Sequence, residues 1–244
     1  MKQFKTIYKE YITEGVYDPG IFKAFFLAGG PGSGKTFVTQ SAFAGTGLKV
    51  VNSDTAFERG LRQANLSLAM PPEEEYFRDL IRQRAKTTAA NALDIYMRGR
   101  LGIIIDATGR DYGLVNAQVN SLKAVGYDCY MIFVNTNLDV ALERNKKRER
   151  TLPDYIIKNN WDKIQGNIGG FQRIFKPQNF LIIDNNKSEQ ELVTNVLNQA
   201  ARFVKNNLRT PPNNLIAKNW IARELEIKKR TWKDLKILKK QITK

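Results

Sequence analysis

An eight-residue segment at positions 29–36 reads GGPGSGKT and matches the phosphate-binding pattern G-x-x-x-x-G-K-[ST]. Its glycines let the backbone wrap around a phosphate and point amide groups inward. The lysine can reach the β- and γ-phosphates of a nucleotide, and the hydroxyl that follows it can bind Mg²⁺. We therefore expect a site for ATP and Mg²⁺ built from Gly29, Gly30, Pro31, Gly32, Ser33, Gly34, Lys35 and Thr36.

Two aspartates close apolar segments that are typical of strands. Asp54 ends LKVVNSD at 48–54, and Asp106 ends LGIIID at 101–106. The carboxyl ends of parallel strands open onto the crevice that also holds a phosphate loop. Asp54 could therefore accept a proton from a substrate hydroxyl or hold Mg²⁺ through water, or it could cap the next helix. Asp106 resembles a Walker B aspartate and joins Thr36 as a candidate metal ligand, with a turn-forming role as the alternative.

A strongly basic segment, ERNKKRER at 143–150, carries five positive and two negative charges. Arg144 and Arg148 are four residues apart and would share one face of a helix. Two arginines presented to a crevice can clamp the transferring phosphate and stabilise the charge of the transition state. The alternative is a solvated charged face. We favour the catalytic role, because the glycine-rich segment already indicates an anion site.

The composition excludes several other chemistries. The 244-residue chain has no histidine and a single cysteine, Cys129. Histidine-based triads, His-ligated zinc and multi-cysteine metal sites are therefore excluded. Catalysis must use carboxylates, Lys, Arg, hydroxyls or backbone amides. Cys129 lies in an apolar segment and is expected to pack in the core.

Segments typical of strands alternate with segments typical of helices along the chain, and these elements would position the candidate site residues. Five apolar segments, each followed by a helical pattern, lie at residues 21–28, 48–54, 101–106, 129–134 and 180–184. They are apolar on both faces, as in a parallel sheet covered by helices on both sides. This predicts an α/β domain at 21–205, preceded by a helical extension at 1–20 and followed by a basic helical tail at 206–244.

The basic excess is concentrated in the tail. Lys and Arg number 39 against 24 Asp and Glu, a net charge of +15, of which residues 205–244 carry +9. Such an excess suggests a polyanionic partner, which could be nucleic acid, nucleotide phosphates or an acidic surface. The tail could bind nucleic acid through sequence-independent phosphate contacts. It could equally pack against the core through Leu225, Leu235 and Leu238.

No segment of the sequence predicts a membrane partner. No apolar run approaches the roughly 20 residues that a membrane span needs. Charged residues also interrupt the N-terminal segment MKQFKTIYKEYITEG, where a signal peptide would have its apolar region. We therefore expect a cytoplasmic protein.

Taken together, these motifs resemble the P-loop small-molecule and polynucleotide kinases, above all the phage polynucleotide 5′-kinase and zeta-toxin group. The matching segments are GGPGSGKT, NSD ending at Asp54, IIIDATGR at 103–110 and LERNKKRERTLP at 142–153. They fall within a region of resemblance that covers about residues 21–200. The resemblance implies a nucleoside-kinase-like P-loop NTPase fold with a five-stranded parallel sheet and helices on both faces.

The resemblance also implies residue roles. In this group the aspartate after the second strand, here Asp54, activates the acceptor hydroxyl. The arginines of the lid, a mobile flap over ATP, correspond to Arg144 and Arg148, and the lid would span about 143–165. Polynucleotide kinases carry an arginine shortly after the catalytic aspartate to hold a substrate phosphate, and here only Arg59 lies in that region.

These observations predict an ATP- and Mg²⁺-dependent kinase that phosphorylates a hydroxyl of a nucleic-acid 5′ end or of a nucleotide. A zeta-toxin-like nucleotide-sugar kinase is the first alternative. A nucleic-acid-binding module that is regulated by ATP and transfers nothing is the second, although it would not need Asp54 or the lid arginines. The opening FKTIYKEYITEG also resembles tailed-phage proteins, in which case the location would be the host cytoplasm.

Overall fold

The computed structural model describes residues 15–69, 71–106, 108–147, 151–186 and 190–242. One parallel sheet runs through this part of the chain in the order β2-β3-β1-β4-β5. Its strands are β1 (Lys23–Ala28), β2 (Lys49–Val51), β3 (Ile103–Asp106), β4 (Asp128–Asn135) and β5 (Phe180–Asp184). The prediction of a five-stranded parallel α/β sheet is confirmed.

The central strand β1 shows why these segments are apolar throughout. Phe25 of β1 lies opposite Ile104 of β3 on one side and Tyr130 of β4 on the other. Phe25 faces one buried cluster, whereas the neighbouring Phe26 faces a second cluster on the other side of the sheet. Both faces of β1 are therefore buried, as the sequence pattern predicts.

Helices cover both faces of the sheet. In chain order they are α1 (Lys35–Ala42), α2 (Ser53–Gln63), α3 (Glu75–Arg98), α4 (Tyr112–Ala124), α5 (Leu138–Lys146), α6 (Asp154–Phe175), α7 (Gln190–Arg209) and α8 (Leu215–Ile242). Helices α3, α4 and α6 pack on one face with the first two turns of α8, and α1 and α7 pack on the other. Helices α2 and α3 share a smaller cluster formed by Phe57, Leu61 and Ala85. No helix among the described residues is long and apolar enough to cross a membrane.

The second strand is shorter than the sequence predicts. It ends at Val51, and Asp54 lies in the first turn of α2 instead of at the strand end. The cause is Asn52, whose side chain accepts hydrogen bonds from the backbone N–H groups of Asp54 (2.7 Å) and Thr55 (3.4 Å). This N-cap starts the helix at Ser53, so the strand ends three residues earlier than expected.

Helix α5 ends at Lys146, within the basic segment that begins at Glu143. The side chain of Asn145 donates to Leu152 O (2.8 Å) and accepts from Leu152 N (3.1 Å), which turns the chain toward α6. The expectation that Arg144 and Arg148 share a helix face stays a prediction. Arg148 itself lies outside the described residues, as does the predicted N-terminal helix up to residue 14.

The start of the C-terminal tail packs against the core. Asp128, at the start of β4, accepts hydrogen bonds from the backbone N–H groups of Asn213 (2.7 Å) and Asn214 (3.1 Å). The same carboxylate pairs with the buried ammonium of Lys23 at 3.0 Å. Trp220 of α8 then meets the ring of Phe22 edge to face, with 5.6 Å between centroids. The first turns of α8 are therefore part of the core, at the end of the sheet opposite the phosphate loop.

We expect Trp220→Ala to lower the free energy of unfolding by about 2–3 kcal/mol, because it removes a half-buried indole from an aromatic contact. The exposed Ile227 lies on the same helix and provides a control. Ile227→Ala should change the free energy of unfolding by less than about 0.5 kcal/mol. Urea unfolding curves compare the variants, and equal midpoints for Trp220→Ala and the unmodified chain would contradict the docking of α8.

Candidate active site

The glycine-rich segment connects β1 to α1 and adopts a backbone that only glycine tolerates well. Gly29, Gly32 and Gly34 have φ values of 147°, 78° and 88°. A Cβ atom at Gly32 would also lie 2.6 Å from the carbonyl oxygen of Ala141 in α5. The loop therefore curves tightly in front of α1, whose first backbone amides point toward the loop, as a phosphate site requires.

Neighbouring strand ends hold this loop in place. The carbonyl oxygen of Ser33 accepts hydrogen bonds from Asn185 Nδ2 (2.7 Å) and Thr136 Oγ1 (3.3 Å), and Gly29 N donates to Thr108 O (3.0 Å). Asn185 and Thr136 follow β5 and β4 directly, and Thr108 lies two residues after β3. These partners were not predicted, although their positions just after apolar strands are a signal that could have indicated them.

The interior of the loop fits an anionic ligand. Lys35 Nζ donates to Gly29 O at 2.7 Å, so the ammonium lies across the loop. The Ser33 hydroxyl is buried and has no hydrogen-bond partner among the described residues. A buried hydroxyl without a partner is unfavourable, and a phosphate oxygen would provide the missing acceptor. Both groups therefore fit the nucleotide phosphates that the motif predicts.

Arg144 reaches the same loop from α5. Its Nη1 atom lies 3.4 Å from the carbonyl oxygen of Gly32. The adjacent Glu143 pairs instead with Lys147 at 2.7 Å, and that hydrogen bond lowers the pKa of the exposed Glu143 carboxyl. The guanidinium of Arg144 is thus placed where a second cation beside Lys35 would contact bound phosphates.

Asp106 lies at the end of β3, within the electrostatic range of both Lys35 and Asp54. Burial raises the pKa of Asp106, the Lys35 ammonium opposes this shift, and the Asp54 carboxylate adds to it. Asn52 Nδ2 donates to Asp106 Oδ2 at 2.7 Å and fixes the side chain. The structure therefore brings the predicted lysine and the two predicted carboxylates together.

The residues that could hold Mg²⁺ are few. Thr36 lies in the first turn of α1, and Asp106 lies at the end of β3. Within the described ranges, no group of three or more acidic or cysteine residues could hold a metal ion. Mg²⁺ commonly uses one or two protein oxygens together with substrate phosphates and water. Thr36 and Asp106 fit that pattern, with the nucleotide supplying the remaining oxygens.

Asp54 has an ion-pair partner that our sequence analysis missed. Arg82 of α3 places Nη1 at 3.0 Å from Asp54 Oδ1, and its guanidinium stacks 3.7 Å from the ring centroid of Phe57. Arg59, the arginine indicated by the sequence, is exposed on α2 in an open groove. Arg82 is 28 residues from Asp54 along the chain, and no spacing motif connects them.

The loop after β3 is held by α6. Arg110 Nη1 donates to the buried Asn160 at 3.2 Å, and Asn167 Nδ2 donates to the carbonyl oxygens of Gly109 (2.9 Å) and Arg110 (3.0 Å). In the same loop, the carbonyl oxygen of Thr108 accepts a hydrogen bond from the backbone N–H of Gly29. The IIIDATGR segment is therefore packed between the phosphate loop and α6.

Comparisons with known proteins agree with this architecture. A family model described as an AAA domain matches residues 25–169. A provisionally assigned kinase from Chloroflexus aurantiacus superposes with a TM-score of 0.50 at 13% identity, covering 77% of this chain and 98% of the other. The AvrRxo1-ORF1:-ORF2 structure with ATP gives 0.51 at 12% identity, with 74% of this chain and 63% of that chain covered.

A third structure, the Pnkp1/Rnl/Hen1 RNA repair complex, gives a TM-score of 0.48 at 19% identity, with coverage of 61% and 46%. No curated protein matches the chain. At these identities the structural matches show the fold alone, whereas the family match spans more than half of the sequence. The chain therefore belongs to the AAA domain family and has the fold of the P-loop kinases.

Proposed function

We propose that this protein is an ATP-dependent kinase that transfers the γ-phosphate to a hydroxyl group. The observation that carries the proposal is the position of Asp54: the side chain of Asn52 accepts a hydrogen bond from Asp54 N at 2.7 Å and donates one to Asp106 Oδ2 at 2.7 Å. Asp54 therefore lies beside the end of β3, the strand next to the one that leads into the phosphate loop. A module that only bound ATP would not need this arrangement.

In this mechanism the loop amides, Lys35 and Arg144 bind the phosphates of ATP and stabilise the charge of the transition state. Asp54 orients the acceptor hydroxyl and takes its proton. The new bond joins the acceptor oxygen to the γ-phosphorus, and the bond from that phosphorus to the bridging oxygen of ADP breaks. Mg²⁺, held by Thr36 and Asp106 with the nucleotide, would neutralise charge on the phosphates. Catalysis is mainly positioning and electrostatics.

For the acceptor, we favour a nucleic-acid 5′ end or a nucleotide. The net charge of +15 supports a polyanionic substrate. The motif resemblance to phage polynucleotide kinases points the same way, and the resemblance to zeta toxins makes a nucleotide sugar the alternative. Because ATP is the phosphate donor, we propose that the protein acts in the cytoplasm, that of the host if it comes from a phage.

Transfer of label from γ-labelled ATP tests this proposal. The acceptors are a 5′-hydroxyl oligonucleotide, nucleosides, nucleoside monophosphates and a nucleotide sugar, with water alone as the blank. We expect label on one acceptor class, at a rate well above hydrolysis. ATP binding without label on any acceptor would favour the ATP-regulated nucleic-acid-binding module instead.

The last part of the tail, residues 224–244, is proposed to add affinity for nucleic acid. Residues 224–244 contain eight basic and three acidic residues, a net charge of +5. A chain that ends at Arg223 keeps the contacts of Ala217, Trp220 and Ile221 with the core. It should therefore fold and keep its turnover on a small acceptor, whereas its affinity for single-stranded DNA should fall.

The decisive measurement for the tail is the salt dependence of binding. Each lost phosphate contact makes the slope of log K against log salt shallower by nearly one unit. The full chain and the shortened chain are titrated with the same oligonucleotide at several salt concentrations. Parallel slopes would show that residues 224–244 make no phosphate contacts.

A further inference from the structure

Helix α3 connects the crevice to the far end of the sheet. In its second turn, Arg82 pairs with Asp54 at 3.0 Å. Just beyond its end, the guanidinium of Arg100 lies 4.4 Å from the ring centroid of Trp220 in α8. From Arg82 to Arg98, the last residue of α3, the helix rises by about 24 Å at about 1.5 Å per residue. The crevice and the docked start of the tail are therefore about 24 Å apart.

The far end of α3 is fixed to the core beside α8. The buried Tyr127 places its hydroxyl 3.2 Å from the carbonyl oxygen of Tyr96 and 2.9 Å from that of Leu101. Side chains from the last turns of α3 pack against the same buried cluster as Trp220 and Ile221 of α8. The separation between the crevice and the tail is therefore set by the packing of the fold.

The positive charge of the tail begins at this far end. Lys228 Nζ lies 4.9 Å from the ring centroid of Tyr17. The segment from Tyr17 leads into β1, and the backbone N–H of Lys23, the first residue of that strand, donates to Gly20 O at 3.0 Å. Residues 228–244 contain eight basic residues and one acidic residue. A strongly basic segment therefore starts at the end of the sheet away from the phosphate loop.

The side of the molecule between these two regions does not oppose a polyanion. Between Arg82 and Arg98 the chain contains one acidic residue, Asp94. Arg98 Nε pairs with Asp94 at 2.9 Å and neutralises its charge. A nucleic acid strand that follows α3 would therefore meet no net negative charge on this helix between the crevice and the tail.

We propose that the protein binds a single-stranded nucleic acid at two places at once. The 5′ end lies beside Asp54, and phosphates further along the strand contact the basic residues that begin at Lys228. The inference rests on the proposed kinase function and adds a minimum length to the acceptor. At about 3.4 Å per stacked nucleotide, a span of about 24 Å corresponds to about seven nucleotides.

This arrangement makes the contribution of the tail depend on the length of the acceptor. A nucleotide, a nucleotide sugar or a trinucleotide in the crevice is too short to reach Lys228. A longer strand reaches it while its 5′ end stays in place, so the second contact is intramolecular and raises the affinity of the whole strand. The phosphate contacts are independent of sequence. The tail should therefore lower KM for long strands and leave kcat nearly constant.

The test measures kcat/KM for 5′-hydroxyl oligothymidylates, namely a trinucleotide, a hexanucleotide and strands of about 12 and about 20 nucleotides. The variant Lys229→Gln/Lys233→Gln removes two exposed charges from α8. The matched control, Arg202→Gln/Lys205→Gln, removes two exposed charges from α7, which packs on the other face of the sheet. The two variants have the same net charge, so only the position of the lost charges differs.

In the unmodified chain and in the α7 control, kcat/KM should be about a hundredfold higher for the longest strand than for the trinucleotide. In the α8 variant this ratio should fall to about tenfold, mainly because KM for the two longer strands rises. The slope of log(kcat/KM) against log salt should become shallower by about one unit for the longest strand in the α8 variant. For the trinucleotide it should match that of the unmodified chain.

Three results would overturn this inference and leave the kinase proposal intact. They are an equal loss on the trinucleotide and the longest strand, an unchanged ratio in the α8 variant, and an equal loss in the α7 control. If only nucleotides or a nucleotide sugar accept label, the two-site inference fails and the kinase proposal stands.

If the unmodified chain labels no acceptor, the kinase proposal fails, and fluorescence anisotropy with the same strands decides the binding question. The α8 variant should then lose about tenfold in affinity for the longest strand and keep its affinity for the hexanucleotide. Equal losses on both strands would overturn the two-site inference, because the tail would then bind nucleic acid without the crevice.

Discussion

Replacing Lys35 with alanine should lower phosphoryl transfer from ATP by about a thousandfold, which corresponds to about 4 kcal/mol of transition-state stabilisation. The ammonium lies across the phosphate loop, bonded to Gly29 O at 2.7 Å. Negative charge on the transferring phosphate would develop beside it. Arg144 also contacts the loop, by donating to the carbonyl oxygen of Gly32. Some activity should remain, because this second positive charge is unchanged.

The Lys35→Ala measurement is a steady-state rate on the best acceptor, with thermal unfolding as a check on the fold. Lys86, an exposed lysine on α3, provides the control, and Lys86→Ala should keep the full rate. The variant chain should remain folded, because the loop backbone is held by Asn185, Thr136 and Thr108 independently of the lysine. Full turnover in folded Lys35→Ala would show that the loop does not bind the reacting phosphates.

Local features of this protein were predictable from its sequence. The strand before the phosphate loop, the loop itself and the apolar run that ends at Asp106 are continuous segments whose chemistry depends on adjacent residues. The five-stranded parallel sheet followed from the apolar segments and from the resemblance to a known fold, whereas the order of its strands was not predicted. The boundary of β2 was missed because a single side chain, Asn52, caps α2 before Asp54.

Contacts between distant segments were not predictable. Arg82 meets Asp54 only because α2 and α3 pack through Phe57, Leu61 and Ala85. Asn185 meets Ser33 across 152 residues because β5 ends beside the phosphate loop. Such partners come together through tertiary packing, and they leave no pattern of residue spacing that can be recognised in a single sequence. The residues of the phosphate loop were therefore predictable from the sequence, and the partners that hold the loop and Asp54 in place were not.

Replacing Asp54 with asparagine distinguishes a general base from a metal ligand. The amide keeps the shape of the side chain and can still accept the hydrogen bond from Arg82 Nη1, so α2 and α3 should pack as before. It cannot take a proton. We expect phosphoryl transfer to fall by about 10²–10⁴-fold while the affinity for ATP changes only a few-fold, since the lost interaction belongs to the transition state.

Two measurements on Asp54→Asn make the distinction. Binding of ATP with Mg²⁺ is measured by calorimetry, and single-turnover transfer is measured at saturating ATP. Asp79→Asn, which changes an exposed carboxylate on α3, is the control and should leave both unchanged. If Asp54→Asn still binds ATP with Mg²⁺ but its phosphoryl transfer is largely lost, Asp54 acts as the general base. Loss of ATP·Mg²⁺ binding, with normal transfer at saturating nucleotide, would instead make Asp54 a metal ligand beside Asp106. The ion pair with Arg82 argues against that outcome, because a guanidinium at 3.0 Å from Oδ1 would repel a divalent cation bound to the same carboxylate.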